Sequence, residues 1–322
     1  MNKLYVIGEM LIDFTSAGSE GLDGPAVFER NAGGAPANVA VCVSRLGGIS
    51  ALVTKLGDDA FGRYLKDVLV REGVDTSYVY MTNEAKTALA FVFLDGRGER
   101  DFLFYRDPSA DMLLSSDDVS RIAFEPGDVL HFGSVDLVDA PVKEAHRKII
   151  QRARDAGTTV SFDPNLRYPL WKSRDELLSA VREFLPLADI VKVSLDELFD
   201  IAGVCDEITA VNKLLGGNTK LIFVTKGSEG SAAYTRKTST PLIPAEKAHC
   251  IDTTGAGDTF IGTVLYQILR DGVTLDGLDD SERLTEYIRY ANRAAAITVS
   301  GRGAIPSMPY GKDVFGSSSE DK

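Results

Sequence analysis

The chain has 322 residues, 44% of them hydrophobic and 25% charged, enough apolar sequence for one sizeable α/β core with at most a small appendage. A formal net charge of -12 disfavours nucleic acid and anionic membrane as partners, so an anionic ligand would need a local site, such as the amides of a helix N-terminus. Cys42, Cys205 and Cys250 lie far apart and form neither a CxxC pair nor a disulfide framework, which points to reduced thiols and a cytoplasmic setting.

Lys3 to Gly8 reads as a first strand. The segment Met1 to Phe14 is too short for a signal peptide, carries Glu9 and Asp13, and lacks a small-residue cleavage site. No run of about 18 apolar residues exists to span a membrane. Leu11 to Ser16 and Ala26 to Asn31 are extended stretches around a Gly-containing loop. Pro36 to Leu46 reads as a helix with proline in its first turn and Gly47-Gly48 as its stop. Ile49 to Thr54 is a strand, and Asp58 is placed to cap a helix running to Glu72.

The pattern then changes. Ala88 to Leu94 and Glu99 to Tyr105 flank Asp95-Gly96-Arg97-Gly98 and read as a hairpin. Four strands without helices predict a small separate sheet, a lid made by excursions at about 11–31 and 87–106. Strand–helix alternation resumes with Val129 to Phe132, Val142 to Asp155, Thr158 to Asp163, Asp175 to Leu187, Asp189 to Val193 and Leu221 to Thr225. Ala256 to Leu269 and Ser281 to Ser300 read as long helices, and residues 311–322, ending GSSSEDK, as a disordered tail. The expectation is a single doubly wound, mostly parallel α/β domain with a β-sheet lid.

The most informative segment is Asp252-Thr253-Thr254-Gly255-Ala256-Gly257-Asp258-Thr259-Phe260. Its small residues let backbone approach a ligand, and the apolar run Phe260, Ile261, Val264, Leu265, Ile268 opens a helix at once. Amides at that turn suit an anion whose charge grows during reaction, and Asp258 beside them could take a proton from an attacking hydroxyl. In isolation, Asp258 could equally be a helix cap and the glycines a tight turn. Neither a Walker A loop nor an intact dinucleotide GxGxxG is present.

DTTGAGDTF resembles the C-terminal signature of the ribokinase-like (PfkB-type) carbohydrate kinases, and Gly33-Gly34-Ala35-Pro36-Ala37-Asn38-Val39-Ala40 resembles their N-terminal signature. The resemblance runs from about Lys3 to Pro309. It implies a kinase in which Asp258 is the base and Gly255, Ala256 and Gly257 form the anion hole. It places Asp13, Gly33, Gly34 and Asn38 at the sugar. The phrases Phe104-Tyr105-Arg106 and Asp163-Pro164-Asn165-Leu166-Arg167 resemble the fructokinase branch and add Arg106, Asn165 and Arg167 as substrate or phosphate contacts. Kinases of 2-keto-3-deoxygluconate share a similar YR element.

Thr225-Lys226-Gly227-Ser228-Glu229-Gly230 resembles the family's nucleotide loop, giving Thr225, Gly227 and Gly230 as nucleotide contacts with Lys192 and Asn292. Ser194 to Glu197 stands where the family usually has Asn-x-x-Glu, so Glu197 is expected near magnesium through water, although Ser-x-x-Glu is also a capping box. Asp252 and Thr254, with the loop from Gly301 to Ile305, resemble a monovalent-cation site for potassium. The implied activity is ATP- and magnesium-dependent phosphorylation of a sugar hydroxyl, with fructose expected, 2-keto-3-deoxygluconate as the rival substrate, and a homodimer through the lid as the expected assembly. A non-catalytic sugar-binding relative is the alternative outside enzymes. His131, His146 and His249 show no ligand spacing.

Overall fold

The computed structural model describes residues 2–16, 27–94 and 100–316. Its elements are β1 (Lys3–Ile7), β2 (Leu11–Ser16), β3 (Phe28–Gly33), α1 (Ala35–Arg45), β4 (Ile49–Gly57), α2 (Ala60–Arg71), β5 (Val79–Thr82), β6 (Leu89–Leu94) and β7 (Arg100–Tyr105). They continue as α3 (Ser116–Val119), β8 (Val129–Gly133), α4 (Pro141–Asp155), β9 (Thr159–Asp163), α5 (Arg174–Phe184), β10 (Ile190–Ser194), α6 (Leu195–Ala202), α7 (Glu207–Leu214), β11 (Leu221–Thr225) and β12 (Ser231–Thr235). The C-terminal part is helical: α8 (Ala256–Asp271), α9 (Ser281–Val299), α10 (Ala304–Ser307) and α11 (Gly311–Phe315).

Eight strands form one sheet in the order β12-β11-β10-β9-β8-β1-β4-β5. The pairings are parallel except for β12, which runs antiparallel to β11 at the edge. The strand period of two divides the core. Leu4 and Val6 of β1 and Leu221 and Phe223 of β11 join a cluster with α1, α8 and α9, whereas Tyr5, Ile7, Ile222 and Val224 join one with α4, α5 and α6. Helices therefore cover both faces, as the alternation predicts. The second sheet, β3-β2-β6-β7, is built from the four helix-free segments. It has its own small core of Leu11, Ala88 and Ala90. The DGRG turn and the loop joining β2 to β3 lie outside the described residues.

Two local expectations are corrected. Asp59, not Asp58, caps α2: its side chain accepts from Phe61 N and Gly62 N, while Asp58 pairs with Arg63. Part of the expected disordered tail is a helix, because α11 buries Val314 and packs Phe315 on Tyr266 and Tyr290; residues 317–322 lie outside the described residues. His131 and His146 are buried structural groups, bonded to Ser161 Oγ and the Val142 carbonyl and held neutral by burial.

Candidate active site

The cavity of about 1040 Å³ lies between the small sheet and the C-terminal ends of the main strands, where open α/β sheets take ligands. Helix α8 starts at one wall. Gly255 is its N-cap at φ 80°, and a Cβ there would meet Ala304 Cβ at 2.6 Å, so the turn into α8 is open only to glycine. At Gly257 a Cβ would stand 2.8 Å from Lys192 Nζ, so a side chain there would push the lysine head aside. Gly255, Gly257 and Asp258 all line the cavity; Ala256 lies between them in the first turn of α8.

Asp258 is 8% exposed, and its Oδ2 accepts from Asn38 Nδ2 at 2.7 Å. Burial raises its pKa; the Asn38 bond, Lys192 and Arg167 oppose that rise. A raised carboxylate is a stronger base near neutrality. Asn38 reaches it from α1, joining the N-terminal and C-terminal glycine segments across 220 residues. Its Oδ1 is buried and has no protein partner.

Asp13 on β2 lines the cavity, and a Cβ at Gly33 on the paired strand β3 would collide with Asp13 Oδ2, so the carboxylate keeps its place only beside a glycine. Gly34, at φ 107°, packs against the backbone of Glu9. Asn165, in left-handed backbone at φ 47°, and Arg167 follow β9 into the cavity. Lys192 reaches it from the neighbouring strand β10 and pairs with Asp163 Oδ2 at 2.9 Å. Burial opposes the Lys192 charge, but Asp163 and Glu197 raise its pKa; burial pushes Asp163 up to about 6, with Lys192 opposing.

Glu197 forms the expected capping box with Ser194, and its other oxygen accepts from Leu166 N at 2.8 Å. Burial would raise its pKa, yet Lys192 and those two backbone N–H groups hold it low. It stands behind the cavity lining. Asp252 Oδ1 accepts from Thr254 N and Oγ1, and Oδ2 from Gly303 N, so the two expected cation-site loops do meet. Among the described residues, no group of three His, Cys, Asp or Glu could hold a metal ion.

Two of the expected site residues are held by protein partners. Arg106 is not in the lining. Its guanidinium is buried against Asp111 (2.6 Å), Asp136 and the Val135 carbonyl. Asn292 is likewise committed: it accepts from Ser231 Oγ and donates to the carbonyls of Ile243 and Pro244. Thr225, Gly227 and Gly230 cluster at the end of β11, with Gly227 at φ 55° and Gly230 at φ 119°, but none lines the cavity. Sequence reasoning overlooked Glu9 and Arg302, both of which line it, and the Asp163–Lys192 pair. Strand adjacency, which is unreadable along the chain, creates that pair.

No helix of the described residues is long and apolar enough to cross a membrane. The family model described as pfkB family carbohydrate kinase matches residues 1–310. Fructokinase-1 of Zea mays is 46% identical over 311 residues, covering 96% of this chain and 95% of that protein. Among solved structures, the fructokinase of Xylella fastidiosa with bound ATP has a TM-score of 0.87 at 35% identity, over 97% of this chain and 96% of that one. A double mutant of the Vibrio cholerae O395 fructokinase, in fructose, ADP and potassium ion bound form, has a TM-score of 0.86 at 31% identity, over 96% of each chain. A family model spanning nearly the whole chain, on a site built from both glycine segments, places this protein in the pfkB family of carbohydrate kinases.

Proposed function

We propose that this chain transfers the γ-phosphoryl group of ATP to a hydroxyl of free fructose, with Asp258 as the base. The observation that carries the reading is the buried Asp258 carboxylate at the start of α8, bonded to Asn38 inside the cavity that also presents Asp13. Asp258 takes the hydroxyl proton as the sugar oxygen attacks phosphorus, and ADP leaves. The amides of Gly255 to Gly257 and the positive end of α8 face the charge gathering on the phosphoryl oxygens. Lys192 and Arg167 line the same cavity and stabilise phosphate. Asp13 and the spare Asn38 Oδ1 accept sugar hydroxyls. The rival sugar acid, 2-keto-3-deoxygluconate, is disfavoured because Arg106 is committed to Asp111 and Asp136.

The nucleotide is read along the β11 end, with Thr225, Gly227 and Gly230 against it and Asn292 holding that wall rather than touching adenine. Magnesium accompanies ATP and neutralises its phosphates. The donor set fits outer-sphere contact: Glu197 gives each oxygen to one backbone N–H and would hold a magnesium ion only through water. Potassium is read beside Asp252 and Thr254, whose loop meets Gly303. The small sheet acts as the lid, and a homodimer through it is supported by Leu103 and Tyr105, exposed on β7. A cytoplasmic setting is supported by the exposed free thiols of Cys205 and Cys250.

The test combines a panel of free sugars, ATP and magnesium with Asp258→Asn. Fructose should give the highest kcat/KM, and the variant should lose about 10² to 10⁴ in kcat while keeping nucleotide affinity. A variant with near-normal kcat removes Asp258 as the base. A tenfold preference for 2-keto-3-deoxygluconate, about 1.4 kcal/mol, overturns fructose.

A further inference from the structure

Helix α1 carries Asn38 to the base, yet its own N-terminus lacks a cap. Gly34 occupies the N-cap position and provides no side-chain hydrogen bond. No capping residue fits there: the backbone is at φ 107°, and a Cβ would meet the Glu9 carbonyl oxygen at 2.5 Å. The missing acceptor comes from another strand connection. Glu9, 3% exposed and bordering the cavity, accepts from Ala35 N through Oε1 at 3.2 Å.

We propose that Glu9, faced by the buried Arg106, is a positioning residue that caps α1 from outside and thereby holds Asn38 against Asp258. An ionised carboxylate at a helix N-terminus is stabilising, and it strengthens the N–H bond that it accepts. Arg106 is the cation that favours this form. Its Nε donates to Asp111 Oδ2 at 2.8 Å, its Nη1 to the Val135 carbonyl at 3.1 Å, and its Nη2 to Asp136. These partners follow β7 and β8, so the group ties the base of the small sheet to the main sheet and to α1. The FYR arginine thus acts on the sugar site through Glu9 rather than by touching substrate.

The titratable groups facing Glu9 are Arg106, Asp111 and Asp136. Asp111 and Asp136 bind the guanidinium directly and Glu9 faces it; burial raises Asp136 well above the usual carboxylate range, with Arg106 opposing. Burial pushes Glu9 up to about 7, with Arg106 opposing, so the capping form is lost as pH falls through that value. Asp258 is raised as well, and two groups then shape the acid limb of activity.

The inference rests on Asp258 being the base, and the experiment separates the two. kcat/KM for fructose is measured from about pH 5.5 to 8.5 for wild type, Glu9→Gln, Glu9→Ala and Asp258→Asn, with sugar and nucleotide affinities by calorimetry. Glu9→Gln keeps an acceptor oxygen but neither charge nor titration. It should lose about tenfold in kcat/KM at pH 8, the scale of a weakened helix cap, and its acid limb should move to lower pH. Glu9→Ala should lose more, with nucleotide affinity unchanged. An unshifted acid limb with wild-type kcat/KM in Glu9→Gln overturns the positioning role even if Glu9→Ala fails to fold. If Asp258→Asn stays active, the base assignment falls, and this inference falls with it.

Discussion

At Gly33 the missing side chain is what leaves room for Asp13, since any Cβ there would run into the Asp13 carboxylate on the paired strand. Gly33→Ala should therefore displace Asp13 and raise the KM for sugar while leaving nucleotide affinity intact. Losing one charge-assisted contact corresponds to about 1.5–3 kcal/mol in sugar binding. Calorimetry with each ligand checks it; equal weakening for both would mean a general distortion. Asp258 and its glycines drew notice as a small-residue run opening a helix, and Asn38 as a polar group on an apolar one, but it was the resemblance of the two glycine segments to the carbohydrate kinases that assigned them, with Asp13, Gly33 and Gly34, to the site. For Arg106 and Asn292 the chain hides what holds each side chain. Their partners, Asp136 for the first and Ile243 for the second, arrive from distant chain segments, and a polar residue with hidden partners looks like one awaiting a ligand.

Among elements, α6 shows how a local rule and a site share residues. Ser194 Oγ accepts from Glu197 N at 3.2 Å, and Glu197 returns the bond to Ser194 N at 2.9 Å while also holding Leu166 N in the loop that carries Asn165 and Arg167. Ser194→Ala removes one cap acceptor and should cost about 1 kcal/mol, read as a lower urea midpoint. Sugar and nucleotide affinities should stay unchanged, because Ser194 N and Leu166 N still hold Glu197. A large loss of ligand affinity would show that the hydroxyl itself serves the site. The capping box and the long elements were readable from spacing. The short strands β5 and β12 and the helix α7 were not, since so few residues give too few periods for a pattern where no cap or motif marks them.

For the whole molecule, the two sheets differ sharply in what holds them. The main sheet is packed on both faces by helices. The small sheet buries Leu11, Ala88 and Ala90 in its own core, lays Ile12 and Ala32 against the main core, and adds an aromatic group, with Phe14 stacked on Phe91 at 5.0 Å and Phe28 edge-on to Phe91 at 5.5 Å. Less buried area means a smaller opening free energy, so this sheet should exchange its amides faster than the main strands. It also supplies Asp13, Asn31 and Phe104 to the cavity, so a bound sugar would tie it to the loops around Asp258 and Gly303. Exchange in 11–16, 28–33, 89–94 and 100–105 should therefore slow when fructose is added, and slow further with a non-hydrolysable nucleotide, while β1, β8 and β9 stay as they are. Closure of this kind keeps water from the phosphoryl group, so a variant that loosens the sheet should hydrolyse ATP without sugar phosphorylation more often. Unchanged exchange at saturating fructose would mean that the small sheet is a fixed wall of the cavity.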